Sequence, residues 1–241
     1  MLYGVQRHCQ GGVVTDTGRR RPGPRRALSE DTILEAALGL LDIGGAEAAS
    51  IRRIAAAVGV APNAVYTYFP DKGAVVGALV ERLLGEVDHR VLTDKRRPWH
   101  QRIEALALDL RSRLLTHPGA VPLLLSGPMN GPHALTLGER LLDAFADGGL
   151  DPGDAARASY AVTTYVLGAV ALEVADVPQP GPLAPERERI AGRRAAFAAV
   201  PAAAFPRTAA ATEVMAGYVG TGQYVWGLRR LLAGLAATDL D

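Results

Sequence analysis

The sequence predicts an all-α fold. Three observations carry that expectation. Apolar residues recur at three- and four-residue spacing along most of the chain, the period of helices that each bury one face. Aromatic residues are only 5% of the 241 residues while alanine is abundant, a composition that suits helices packed closely on one another better than a β-sandwich. No segment alternates at the period of a strand, and no internal repeat is present. With 49% hydrophobic residues the chain has ample material for a core.

Taken in order, residues 1–28 mix Gly, Pro, Thr and Arg without periodicity and read as a flexible extension. The net charge of the whole chain is +1, yet this segment holds Arg7, Arg19, Arg20, Arg21, Arg25 and Arg26 against Asp16 alone. The positive charge is therefore concentrated in an arm on a near-neutral body. A first helix opens at Ser29, whose hydroxyl suits the N-cap, with Glu30 and Asp31 at its positive end. Ile33, Ala36, Ala37, Leu40 and Leu41 mark its apolar face, and Gly44-Gly45 stops it. A second helix spans 50–58 and breaks at Gly59; a third spans 61–69 and ends at Pro70. Asp71 caps a long fourth helix reaching about residue 93.

Larger helices follow. They span 98–116, 121–125, 132–147 and 151–175, with a loop of breakers at 127–132 and the capping signature Asp151, Pro152, Asp154. A proline-rich connector at 177–185 leads to a helix over 186–200 and a closing helix over 221–237. The domains expected are an arm (1–28), a small helical head (29–74) and a larger helical body (75–241).

Several function classes are excluded by what the chain lacks. A lone cysteine, Cys9, rules out an internal disulfide and suits a reducing cytoplasm. The longest run free of charged residues, between Arg113 and Glu139, is broken by Pro118, Pro122, Pro128 and Pro132, so no membrane span is expected. There is no G-x-S-x-G, H-E-x-x-H, paired-Cys spacing or phosphate-binding loop, and Gly220-Thr221-Gly222 follows no strand. His8 and Cys9 are adjacent in the arm and make a poor metal site. No catalytic residue, metal or cofactor is expected.

The informative block is residues 50–72, SIRRIAAAVGVAPNAVYTYFPDK. A helix-turn-helix needs two short helices locked around a tight turn. Ala55 is small where the helices touch, and Gly59 supplies the positive φ of the turn. Ile54, Val58, Val60 and Val65 are apolar pegs toward the first helix. Arg52, Pro62, Asn63, Ala64, Thr67 and Tyr68 are left on the open face, where Arg suits guanine, Asn suits adenine, and Thr and Ala suit methyl groups. Tyr66, Ser50 and Lys72 are placed to donate to phosphates. Arg19, Arg20, Arg21, Arg25 and Arg26 of the arm join this expected DNA interface.

Residues 32–78, with this helix-turn-helix spacing, the Y-x-Y-F ending the third helix and the D-K pair opening the fourth, resemble the DNA-binding domain of the TetR family. Residues 117–173 and the run from Tyr224-Val225-Trp226-Gly227-Leu228 to Leu235 resemble the C-terminal domain of its tetracycline-repressor subgroup. The resemblance implies a homodimer joined through the eighth and last helices (151–175 and 221–237), operator DNA as partner, and a small molecule whose binding shifts helix four. A pocket among helices five to eight would be lined by Leu123, Leu124, Met129, His133, Tyr160 and Thr164, residue types that also suit ordinary core packing. The subgroup implies a drug held as a magnesium chelate, partly by a histidine in the short helix before the proline loop. Here residues 123–128 read Leu-Leu-Leu-Ser-Gly-Pro, without histidine, although Glu173 matches an acidic residue of that pocket. The expected effector is therefore an apolar organic molecule that needs no metal, and the expected function a ligand-released repressor. An activator of the same fold, or a ligand-binding protein with a vestigial head, are the competing readings.

Overall fold

The computed structural model describes residues 28–45, 47–176 and 181–236. Among them are twelve helices and no strand: α1 (Glu30–Gly44), α2 (Ile51–Ala57), α3 (Pro62–Tyr66), α4 (Lys72–Gly85), α5 (Trp99–Thr116), α6 (Val121–Ser126), α7 (Pro132–Asp147), α8 (Pro152–Ala175), α9 (Glu186–Ala198), α10 (Pro206–Ala210), α11 (Thr212–Ala216) and α12 (Thr221–Ala236). Caps set the starts, at Ser29, Asp71 and Asp151 as expected and at Ser50 besides. Ser29 accepts from the Thr32 amide, Ser50 from Arg53, Asp71 from Ala74, and Asp151 from both Gly153 and Asp154. Gly45 (φ 68°) ends α1, and Gly59 (φ 72°) makes the turn between α2 and α3, a backbone conformation that disfavours any residue with a Cβ.

One continuous core joins head and body, running from Ile33, Ala37 and Leu41 of α1 through Leu79 and Leu83 of α4 to Ile103, Phe145, Val166 and Leu228. α5 lies at the centre of the body, against α7, α8 and α12. Head and body also meet where a 3-10 turn, Pro118–Ala120, presses on α1. A Cβ at Gly119 would stand 2.0 Å from the Leu41 carbonyl oxygen, so only glycine permits this approach. Beside it His117 Nδ1 lies 2.8 Å from Asp42 Oδ2.

The expected boundaries shift in three places. α3 stops at Tyr66 rather than 69, because residues 67–69 turn to bury Phe69. α4 stops at Gly85 rather than near 93. The chain there bends into a separate 3-10 helix, His89–Thr93, whose start is capped by the Asp88 carboxylate, and Val87, His89 and Leu92 are buried. α10 and α11, each five residues, were absent from the sequence reading; helices of one turn and a half carry too little periodicity to show. α8 also has the length and hydropathy of a membrane span, 24 residues with a mean of 1.4 over its most apolar window. Its inner face is occupied by α5, α6, α7 and α12, which accounts for much of that apolar character. The arm, with Arg19, Arg20, Arg21, Arg25 and Arg26, lies outside the described residues.

Candidate DNA interface and effector site

The head divides its residues cleanly. Ile54, Ala55 and Val65 are fully buried inside the head, and Val58 and Val60 are half-buried around the turn. Arg52, Pro62, Asn63, Tyr66 and Thr67 are exposed, and Ala64 is half-buried on α3. Arg53 is also exposed beside Arg52, a neighbour that the doubled arginine could have flagged. Lys72 is exposed in the first turn of α4. Two expected contacts are already engaged. The Ser50 hydroxyl oxygen caps α2, leaving only its proton free to donate. The Tyr68 hydroxyl donates to the Leu28 carbonyl at 2.7 Å, so it anchors the chain just after the arm instead of offering its proton to DNA.

Of the residues expected to line one effector pocket, only Thr164 and Glu173 share a site, an open groove of about 690 Å³ lined also by Tyr165, Leu172 and Tyr224, and the others are dispersed. Met129 alone lines an apolar cavity of about 30 Å³ between α4, α5, α7 and α8, with Leu84, Leu106, Leu137, Val162 and Val166 among its walls. Leu123 and Leu124 are buried in α6 but do not face it. His133 is exposed at the start of α7, stacked close to Gly85 of α4. Tyr160, 76% exposed, and Thr164 point outward from α8 with Leu172. Their i, i+4 spacing continues a single stripe along the helix, opposite the face that packs on the body. Among the described residues, Thr163 is the only polar side chain on the cavity wall. Among the described residues the wall offers no carboxylate or imidazole to a divalent cation, so the magnesium chelate that the subgroup implies does not fit it.

Glu173 sits elsewhere, 2% exposed, in a charged cluster. Arg111 of α5 donates to both its oxygens (2.9 and 2.8 Å), and Arg189 of α9 donates a third bond at 2.6 Å. Arg111 also reaches Thr221 Oγ1 (2.9 Å) and Glu186 (3.2 Å), while Glu186 accepts from the Thr221 amide and hydroxyl. Burial pushes the Glu186 carboxyl up, but the hydrogen bonds from Thr221 and Arg111 outweigh it and leave the group below its ordinary range. The Arg111 guanidinium lies 5.4 Å over the Tyr224 ring, and the Tyr224 hydroxyl, whose pKa burial raises, donates to the Ala107 carbonyl. The cluster therefore fastens α5, α8, α9 and the start of α12. Glu173, expected as a ligand contact, here accepts three hydrogen bonds from arginine.

A further apolar face is uncovered. Trp226 of α12, 57% exposed, joins Tyr160 and Leu172 of α8 among the large hydrophobics at the surface. Tyr160, Thr164 and Leu172 share one stripe of α8, and α12, which carries Trp226, packs on that helix.

A head of two short helices around a glycine turn, seated on a large helical body, defines a helix-turn-helix regulator. The family profile "Bacterial regulatory proteins, tetR family" matches residues 33–79, and "Tetracyclin repressor-like, C-terminal domain" matches residues 93–238, more than half of the chain. The chain belongs to the TetR family of transcriptional regulators. It is 31% identical over 162 residues to an HTH-type transcriptional regulator of Saccharopolyspora erythraea, an alignment covering 67% of this chain and 68% of that protein. It is 31% identical over 159 residues to the HTH-type transcriptional repressor DrrR1 of Streptomyces coeruleorubidus, covering 65% and 58%. Its fold is similar to a crystal structure of a possible TetR family regulator from Streptomyces coelicolor A3(2), with TM-score 0.75, 30% identity, and coverage of 88% of this chain and 100% of that one.

Proposed function

We propose that the protein is a cytoplasmic repressor that binds a palindromic operator as a homodimer and is released by a small apolar organic effector. The observation that carries this reading is the head itself. Its apolar pegs are buried inside the head, while Arg52, Asn63 and Thr67 are exposed and Ala64 half-exposed on the helix pair, side chains of the types that read base edges in a major groove. Tyr66, Ser50 and Lys72 flank them as positioning contacts to the backbone, Pro62 lies on the same open face, and the arginine arm adds charge. One head per chain reads one half-site, so a two-fold dimer demands an inverted repeat. The outer faces of α8 and α12, with Tyr160, Thr164, Leu172 and Trp226, supply the dimer surface. A relative named a repressor supports that sense of regulation.

The effector site in this reading is the apolar cavity around Met129 and Thr163. At about 30 Å³ it holds no more than a water-sized group. Ligand pockets run to roughly 300–1,000 Å³, so an effector must push the surrounding helices apart, including α4 through Leu84. The closed conformation is then the effector-free, DNA-competent one, and a ligand that requires the open one shifts the equilibrium away from DNA. The test is to titrate hydrophobic compounds against the protein–operator complex, with and without EDTA, following release by fluorescence anisotropy. Release by a neutral apolar compound that EDTA leaves unchanged is the expected result. Release that vanishes in EDTA would reject the cavity as the effector site and reinstate a metal chelate.

A further inference from the structure

α7 opens without a cap of its own. Gly131 stands at its N-cap position and Pro132, first in the helix, has no N–H to satisfy. The next two amides are the first free donors, and a carboxylate from another helix takes both. Glu81 of α4 accepts from the His133 N–H at 2.7 Å and from the Ala134 N–H at 3.2 Å. A negative charge at that end also meets the positive pole of the α7 dipole. The close approach is built in. A Cβ at Gly131 would lie 2.3 Å from Glu81 Cδ, and a Cβ at Gly85 would lie 3.0 Å from His133 Nε2. The adjacent side chain, Arg82, donates instead to the Asp31 carbonyl of α1 at 3.4 Å. Two consecutive residues of α4 thus reach two different elements: Arg82 reaches α1 of the head and Glu81 reaches α7, whose Leu137 and Leu141 line the apolar cavity.

We propose that Glu81 is the positioning residue that couples the effector cavity to the DNA-binding head. This rests on the ligand-response reading above. The bonds to His133 and Ala134 belong to the closed, DNA-competent conformation. Opening the cavity moves the start of α7 off Glu81, and α4 is then free to carry α1 and the helix pair out of register with the operator. By linkage, operator binding must in turn hold the cap closed.

The test is residue-resolved hydrogen exchange of the His133 and Ala134 amides in the full-length protein, free and bound to an operator selected from random DNA. Operator affinity of Glu81→Gln and Gly131→Ala is measured alongside. Glu81→Gln keeps the side-chain size but replaces one acceptor oxygen by a donor. Gly131→Ala breaks the same contact from the other side, so the pair controls for a misfolded variant, and far-UV circular dichroism checks helix content. Operator should slow exchange of both amides in the wild type by about five- to 150-fold, the usual range of coupling. Both variants should bind operator more weakly by a factor in that range and lose the operator-dependent slowing. Exchange at 133 and 134 that ignores operator, in a wild type that binds it, would overturn the role of Glu81 alone. A folded variant with wild-type operator affinity would do the same. A wild type that selects no DNA would overturn the DNA-binding reading, and the coupling with it.

Discussion

Replacing Glu173 by alanine removes the acceptor of three charge-assisted hydrogen bonds and leaves Arg111 and Arg189 together, with side chains only 8% and 9% exposed. Among the described residues Glu186, 34% exposed at its side chain and shared with Thr221, is the only acid left paired with Arg111. Breaking a buried pair by deleting one partner costs about 3–5 kcal/mol, because the surviving charge stays out of water. For a chain of this size each kcal/mol moves the melting temperature by about 2–4 °C, so Glu173→Ala should melt roughly 6–20 °C below wild type. Thermal unfolding followed by circular dichroism at fixed protein concentration measures it, the concentration being held because a dimer melts in a concentration-dependent way. A Glu173→Ala protein that melts within about 2 °C of wild type but has lost its effector response would refute the structural role. It would return Glu173 to the ligand contact that its position in the sequence suggests.

Other outcomes follow from the same structure. Arg52→Ala and Asn63→Ala should lose about 1–3 kcal/mol of discrimination between operator and random DNA, whereas Lys72→Ala should weaken both alike; competition gel shifts separate the two behaviours. Deleting residues 1–24 removes Arg19, Arg20 and Arg21 and should lower the slope of log K against log salt by roughly two or three units, read from operator binding over a salt series. Asp147 accepts hydrogen bonds from Lys95 and Arg102, which hold its carboxyl below the ordinary range. A depressed folded-state pKa gives stability that is present above about pH 4 and lost as pH falls through the folded value. Asp147→Asn should therefore melt below wild type at neutral pH and converge on it toward about pH 2 in a pH series of melts.

Most of the fold was legible because its signals are local. Ser29, Asp71 and Asp151 each cap the helix they were expected to cap, and Gly45 and Gly59 take the positive φ that a helix end and a tight turn require. Which residues of the helix pair are buried and which exposed was legible for the same reason, since both kinds alternate within a single short motif. The effector site was not. α8 carries apolar or small residues on most of its circumference, so periodicity does not say which side faces the cavity, and Tyr160 and Thr164 fall on the outer one. Glu173 looks like a lone acid in an apolar helix until Arg111, 62 residues away, and Arg189, 16 residues away, close around it. Thr163, the one polar group on the cavity wall, is indistinguishable in sequence from its neighbour Thr164. Tyr68 reads as an interface aromatic, and only the contact with Leu28 across 40 residues shows where its hydroxyl goes.

The claim on which the rest depends is that a two-fold dimer reads DNA through α2 and α3. Sequencing the fragments that the full-length protein selects from a random DNA library tests it most directly. The expected result is an inverted repeat whose half-site centres lie about 34–36 Å apart along the duplex, or a multiple of that. Enrichment of a single asymmetric site, or no enrichment at all, would contradict it.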